Sequence, residues 1–165
     1  YRITLLAVFL LTVVFDLTVA VEVGLIAACV TFIYRISSLS RSEAVTAADQ
    51  PVLSGQDGRV EAHRLYGALF FGAVKLVEAL EDRLPRHALV IDLKNLIYVD
   101  SSGADSLMSL QRACSKHGVR LIACGLAHQP LDMLRRCGFT DTLGEANQCP
   151  DLASGLAAAL ADGDG

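Results

Sequence analysis

Apolar residues dominate the first part of the chain, where the stretch from Ile3 to Tyr34 is interrupted by acidic charge only at Asp16 and Glu22. A single straight helix over this stretch would be about 48 Å long at 1.5 Å per residue. The hydrocarbon core of a bilayer is only about 30 Å thick. The pattern therefore favours two short transmembrane helices within residues 1–36, broken near residues 16–18. A single tilted helix with Asp16 at an interface is the alternative.

The charges in and after this stretch predict its orientation. Asp16 and Glu22 would be intramembrane polar residues, and because such residues are costly in lipid they usually face protein or water. Arg35 and Arg41 follow the apolar run directly, and positive charge beside a span marks the cytoplasmic side. Residues after about 36 are therefore predicted to be cytoplasmic.

The rest of the chain alternates between short apolar runs and amphipathic segments. Residues 37–58 are rich in Ser, Ala, Asp and Gly, which predicts a linker with a short strand near Pro51–Leu53. Beyond it the pattern predicts strand 59–66, helix 73–84, strand 88–93, a helix that opens at 100–103 and ends near Gly118, strand 119–125, helix 130–138, a short strand 139–143 and helix 151–161. This order predicts parallel strands joined by right-handed crossovers, an α/β fold with a small β-sheet and flanking helices over residues 59–162.

A short polar segment, Asp100-Ser101-Ser102-Gly103, separates an apolar strand from a helix with apolar residues at helical spacing. Asp and Ser are good N-cap residues because their side-chain oxygens accept from the unpaired N–H groups of the first turn. A phosphate on either serine would lie in the positive field of the helix dipole. Asp100, Ser101, Ser102 and Gly103 therefore form a candidate site at which a phosphate on either serine would be favoured.

Composition and charge exclude several function classes. The net charge of −4 argues against a nucleic-acid partner, since such proteins usually carry a basic face. None of the cysteines forms a Cys-x-x-Cys pair, and no pair of histidines has metal-ligand spacing, so neither a metal nor a cofactor is predicted. An enzyme is disfavoured because the sequence has no Gly-x-Ser-x-Gly elbow and no evident acid–base pair.

Three segments carry a resemblance to a known family. A strand followed by Asp-Ser-Ser-Gly and a helix resembles the STAS domain, which occurs in anti-sigma-factor antagonists and at the cytoplasmic C-terminus of SulP-type (SLC26-like) anion transporters. The segment Leu11–Gly24 resembles the last transmembrane segments of SulP transporters. The segment Gly67–Gly72 is similar to a Gly-Pro-Leu-Phe-Phe-Gly stretch of their STAS domains, with Ala68 in place of the proline. Phe70 and Phe71, within this segment, are predicted to be core residues.

The resemblance implies a fold and a function. The fold would be a STAS-like small β-sheet with flanking helices, preceded by one or two short transmembrane helices. The chain would be the C-terminal part of a multi-pass secondary anion transporter of a bacterial inner membrane, carrying sulfate, bicarbonate or small carboxylates. Its STAS domain would serve regulation and homodimer or regulatory-protein contacts, and the substrate anion would bind parts of the parent protein that lie upstream. The alternative is a membrane-tethered signalling domain, like the anti-sigma-factor antagonists, that is switched by serine phosphorylation. The resemblance implies that Ser102 is the regulatory phospho-acceptor, with Ser101 as its neighbour.

Overall fold

A computed structural model describes residues 1–14, 17–71 and 74–161, which divide into two compact units. Unit 1, Tyr1–Ser38, contains the helices α1 (Arg2–Val14) and α2 (Leu17–Ser37). Both helices are apolar on all sides and almost wholly exposed. By length and composition α2 is long and apolar enough to cross a membrane, whereas α1 is shorter. The predicted break near residues 16–18 includes Asp16, which lies outside the described residues.

Unit 2, Leu39–Gly165, carries a mixed α/β fold. Its elements are β1 (Arg41–Val45), a 3₁₀ turn (Pro51–Leu53), β2 (Val60–Leu69), α3 (Val74–Glu81), β3 (Ala88–Asp92), β4 (Leu96–Val99), α4 (Ser101–Lys116), β5 (Arg120–Cys124), α5 (His128–Arg136), α6 (Phe139–Leu143), a second 3₁₀ turn (Glu145–Asn147), β6 (Gln148–Cys149) and α7 (Leu152–Ala161). The predicted α/β class, a small sheet with flanking helices, is confirmed.

The described strands form one sheet in the order β1-β2-β3-β5-β6, and β4 also pairs with β2. The pairs β2–β3, β3–β5, β5–β6 and β2–β4 are parallel, as the strand–helix alternation predicts. Strand β1 is antiparallel to β2. Because parallel strands point the same way, the carboxyl ends of β2 and β4 meet at one end of the sheet, immediately before α4.

Helices cover both faces of the sheet, which explains why β3 is buried at every position. One core cluster packs α3, α4, α5 and α6 against Leu65, Leu89 and Ile91. The other packs α7 against Val60, Ala62 and Val90 on the opposite face. A strand buried on both faces reads as a continuous apolar run rather than an alternation. Ala88–Ile91 appears in this way in the sequence, and the buried Asp92 ends the run.

Two predictions about the segment 37–58 need correction. Residues 41–45, predicted as part of a linker, form strand β1, and Pro51–Leu53 is a 3₁₀ turn rather than a strand. Only Val45 of β1 is buried. Pairing with β2 therefore stabilises β1. Because the segment is so polar, its sequence lacks the apolar–polar alternation that would predict a strand.

Two further predictions are wrong. Residues 139–143 form helix α6 rather than a strand, because the buried residues Phe139, Thr140 and Leu143 follow helical spacing instead of alternating. Phe71, predicted to be a core residue, is 84% exposed, whereas Phe70 is partly buried. The chain turns after Leu69, and this turn points Phe71 outward rather than into the core.

Candidate functional site

The amino terminus of α4 is built as the sequence predicts. Asp100 is the N-cap residue, and its Oδ1 accepts a hydrogen bond of 2.8 Å from the backbone N–H of Gly103. The backbone oxygen of Asp100 accepts from the N–H of Ala104 at 2.9 Å. The Asp100 carboxylate therefore already occupies one of the free donors at this helix end and places a negative charge where the helix dipole favours it.

Gly103 lets the helix approach strand β2 very closely. A Cβ atom added at Gly103 would lie 2.3 Å from the carbonyl oxygen of Leu69 and 2.8 Å from its carbonyl carbon. The same oxygen accepts a 3.0 Å hydrogen bond from the N–H of Asp100. The candidate site is thus held rigidly against the carboxyl end of β2.

The two serines differ in their accessibility. Ser101 is exposed and Ser102 is partly exposed, in contrast to the buried Gly103 and Ala104 that follow. Both hydroxyls lie in the first turn of a 16-residue helix, where an added phosphate would meet the helix dipole favourably but the Asp100 carboxylate unfavourably. The arrangement offers a modifiable surface and no nucleophile–base pair.

Gln129, which the sequence pattern did not predict as a site residue, connects this site to α5. The side chain of Gln129 accepts from the Val99 N–H at 2.9 Å and donates to the Val99 oxygen at 2.8 Å. Gln129 therefore satisfies both backbone groups of the residue that precedes Asp100, as a neighbouring strand would. The preceding residue, His128, has a φ of 51°, an uncommon backbone conformation for a side chain other than glycine. No local pattern marks Gln129, because its partner is 30 positions away.

We expect Gln129→Ala to destabilise unit 2 by about 2 kcal/mol, because one buried donor and one buried acceptor lose their partners. Gln129→Glu should cost less at acidic than at neutral pH, since only the protonated acid can both donate and accept. Thermal unfolding of the full chain in detergent micelles measures both. An unchanged melting temperature in Gln129→Ala would show that water replaces the amide without loss.

Residues 53–154 match the family model described as the STAS domain. The chain belongs to the STAS domain family. Over 148 residues it is 32% identical to the protein named Putative sulfate transporter YvdB from Bacillus subtilis (strain 168). That match covers 86% of this chain and 27% of the relative, so the chain spans about a quarter of the length of the curated relative it matches.

Two solved structures extend the comparison. The SulP transporter STAS domain from Vibrio cholerae is 25% identical, with a TM-score of 0.55, and the match covers 71% of this chain and 97% of that one. The structure of SLC26A9 matches with a TM-score of 0.72 over 98% of this chain and 30% of that one. Its identity is only 16%, so this likeness concerns the fold alone. The resemblance to SulP transporters is confirmed.

The compact unit that contains the STAS match begins at Leu39, two residues after α2 ends. The carbonyl oxygen of Leu39 lies against Gly67, whose φ is 86° and where a Cβ would approach that oxygen to 2.9 Å. The hydroxyl of Ser40 donates to the oxygen of Ala68 at 2.6 Å. The first two residues of the domain are therefore fixed to β2, at an irregularity in its pairing with β4 between Gly67 and Ala68.

The predicted intramembrane polar residues have different outcomes. Glu22 is exposed on α2, whereas Asp16 is outside the described residues. Within residues 1–14, 17–71 and 74–161, no group of three His, Cys, Asp or Glu side chains could hold a metal ion.

Burial raises the pKa of the Cys114 thiol to about 11 and that of the Cys124 thiol to about 12. The neighbouring Cys149 raises the Cys124 pKa further. Neither buried thiol is poised to react as a thiolate.

Proposed function

We propose that this chain is the C-terminal part of a SulP-type secondary anion transporter. The apolar helices α1 and α2 would be its last membrane segments, and the STAS domain would lie on the cytoplasmic side of a bacterial inner membrane. The observation that carries the proposal is the order of the two parts. An apolar pair of helices leads within two residues into the compact unit that contains the STAS match, and 86% of the chain matches a protein named as a sulfate transporter.

In this proposal the chain does not bind the transported anion. The substrate site would lie in upstream membrane segments, and the STAS domain would regulate transport and contribute homodimer or regulatory-protein contacts. The charges agree with the orientation proposed for the chain. Arg35 lies in the last turn of α2 and Arg41 opens β1, and positive charge beside a span favours the cytoplasmic side. The substrate class proposed is sulfate, bicarbonate or a small carboxylate, and no catalytic role is assigned.

Uptake of radiolabelled anions into membrane vesicles tests this proposal. The full-length protein that ends in this chain should take up one of sulfate, bicarbonate or a dicarboxylate faster than vesicles without it. A variant truncated after Ser37 should be inserted in the membrane with altered transport. A full-length protein that inserts correctly but moves none of these anions would contradict the proposed function.

A second candidate function is a phospho-regulated switch, and the exposure of Ser101 and Ser102 favours it. A phosphate adds about −1.5 to −2 charge at neutral pH. At Ser102 it would stand near the Asp100 carboxylate and compete for the N–H of Gly103. The modification would thus change the charge of the surface that a partner meets at the start of α4.

We expect Ser102→Asp to alter partner binding or transport while leaving the melting temperature almost unchanged, because the side chain is partly exposed. Ser101→Asp adds one charge in the same turn and tests the second candidate acceptor. Phosphopeptide mass spectrometry of the protein from its native membrane shows whether either serine is modified. Unmodified serines, together with unchanged partners and transport in both variants, would argue against a switch.

A further inference from the structure

Large apolar side chains are exposed at one end of the STAS domain. Among its described residues, five large apolar side chains are exposed, and four of them surround the carboxyl ends of β2 and β4. These four, here called the junction cluster, are Leu39 (69% exposed), Phe71 (84%), Ile97 (77%) and Tyr98 (49%). Single exposed apolar residues are ordinary, but a concentration of them marks a surface that contacts another apolar phase or protein.

Backbone pairing connects the members of the cluster. Leu39 lies against Gly67, and its neighbour Ser40 is hydrogen-bonded to Ala68. Ala68 is the register partner of Tyr98 in the β2–β4 pair. Ile97 and Tyr98 are consecutive strand residues, so their side chains leave the strand on opposite sides. A flat membrane surface can therefore contact both side chains only if it lies across the end of the strand.

Chain connectivity limits the distance between the end of α2 and Leu39 of the junction cluster. One residue, Ser38, separates the last residue of α2 from Leu39. At 3.3–3.6 Å per residue, Leu39 can be at most about 7 Å from the end of α2. This limit follows from chain connectivity and holds for any orientation of the domain. If α2 crosses the membrane, Leu39 therefore lies at the level of the lipid headgroups.

We infer that the junction cluster is a membrane-contact surface that inserts its apolar side chains at the headgroup boundary of the cytoplasmic leaflet. The inference rests on the proposed function, since it needs α2 in the membrane. Leucine, isoleucine and phenylalanine supply apolar area, and tyrosine has the polar tip that suits this boundary. Two exposed cations flank the cluster: Lys94 precedes β4, and Arg41 follows Ser40 with its guanidinium 4.6 Å from the Tyr66 ring centre. Anionic headgroups should therefore strengthen the contact.

The absence of tryptophan from the chain makes a direct test possible, because one introduced tryptophan is then its only indole. Ile97→Trp and Phe71→Trp are each placed in the full chain and reconstituted in phosphatidylcholine vesicles, with and without phosphatidylglycerol. Phospholipids brominated high on the acyl chain are the quencher. Both variants should be quenched at least half as strongly as Phe32→Trp in α2, and more strongly when phosphatidylglycerol is present.

Val52→Trp is the matched control within the domain. Val52 is 49% exposed and lines a small cavity with Val60 and His87, at the amino ends of β2 and β3. Strand β2 runs ten residues from that end, or about 30 Å at 3.3 Å per residue. The emission of Val52→Trp should therefore be quenched by aqueous iodide and not by brominated lipid.

The outcomes separate the inference from the proposed function. Quenching of Phe32→Trp without quenching of Ile97→Trp and Phe71→Trp would overturn the inference and leave the function standing. Protection of both cluster positions from lipid and from iodide would also overturn it, because protein would then cover the cluster. An absence of quenching at Phe32→Trp would show that α2 does not lie in the membrane. The proposed function and the inference would then both be contradicted.

Discussion

Replacing Gly103 by alanine should destabilise the STAS domain by about 3 kcal/mol, the upper part of the usual range for overpacking. The added Cβ would lie 2.3 Å from the carbonyl oxygen of Leu69, an atom of the backbone that has no rotamer to escape into. Moving α4 away would lengthen the hydrogen bond from the Asp100 N–H to that same oxygen. Pulse proteolysis of the full chain across a urea series measures the loss.

The direction of the stability change in Gly103→Ala distinguishes a close approach of α4 to β2 from an unconstrained helix. In an unconstrained helix interior, glycine to alanine stabilises by about 1 kcal/mol. A stabilised Gly103→Ala chain would therefore contradict the close approach of α4 to β2. Ser101→Ala is the control, because Ser101 is exposed two residues earlier and its loss should change stability by about 0.5 kcal/mol or less.

Gly155→Ala should also destabilise the domain, by about 2 kcal/mol, through the helix on the other face of the sheet. A Cβ at this position of α7 would lie 2.2 Å from the sulfur of Cys124 and 3.1 Å from Val90. The Cys124 side chain is buried on β5 beside its register partner Cys149, so the sulfur has little room to move. Urea unfolding of the full chain in micelles measures the change.

A second substitution tests the origin of that effect. Cys124→Ala removes the sulfur and should cost about 1 kcal/mol on its own through the small cavity it leaves. In the double variant Gly155→Ala with Cys124→Ala, the new methyl group takes the space of the sulfur. The double variant should therefore be more stable than the sum of the single changes predicts, by about 1–2 kcal/mol. Strict additivity would show that α7 is displaced for another reason.

Local signals were enough to predict the centre of the fold. The apolar run Ala88–Leu93 predicted β3, and the polar segment 100–103 predicted the start of α4, with Asp100 among the candidate caps. Strand β4 (Leu96–Val99), which lies between them, was not predicted. The two confirmed predictions follow from neighbouring residues, since burial on two faces produces an apolar run and a cap needs only the first turn of its helix. The α/β class followed from the order of these elements.

The features that the sequence did not predict depend on residues distant along the chain. Strand β1 is polar and exists through its pairing with residues 62–66 of β2. Gln129 acts on Val99, 30 positions away, and Phe71 is exposed because the chain turns after Leu69. No pattern within a few residues encodes such pairings. The roles of Asp100, Ser101, Ser102 and Gly103 in regulation, and those of Asp16 and Glu22 in the membrane, stay predictions.

The measurement that tests the central claim most directly is the hydropathy of the reading frame that encodes this chain, upstream of Tyr1. The matched region is only 27% of the sulfate transporter relative. If the chain is the C-terminal part of a SulP-type transporter, the upstream sequence encodes many further apolar spans of about 20 residues each. An upstream sequence that encodes only a short soluble leader would contradict the transporter account and would make Ser101 and Ser102 the principal site.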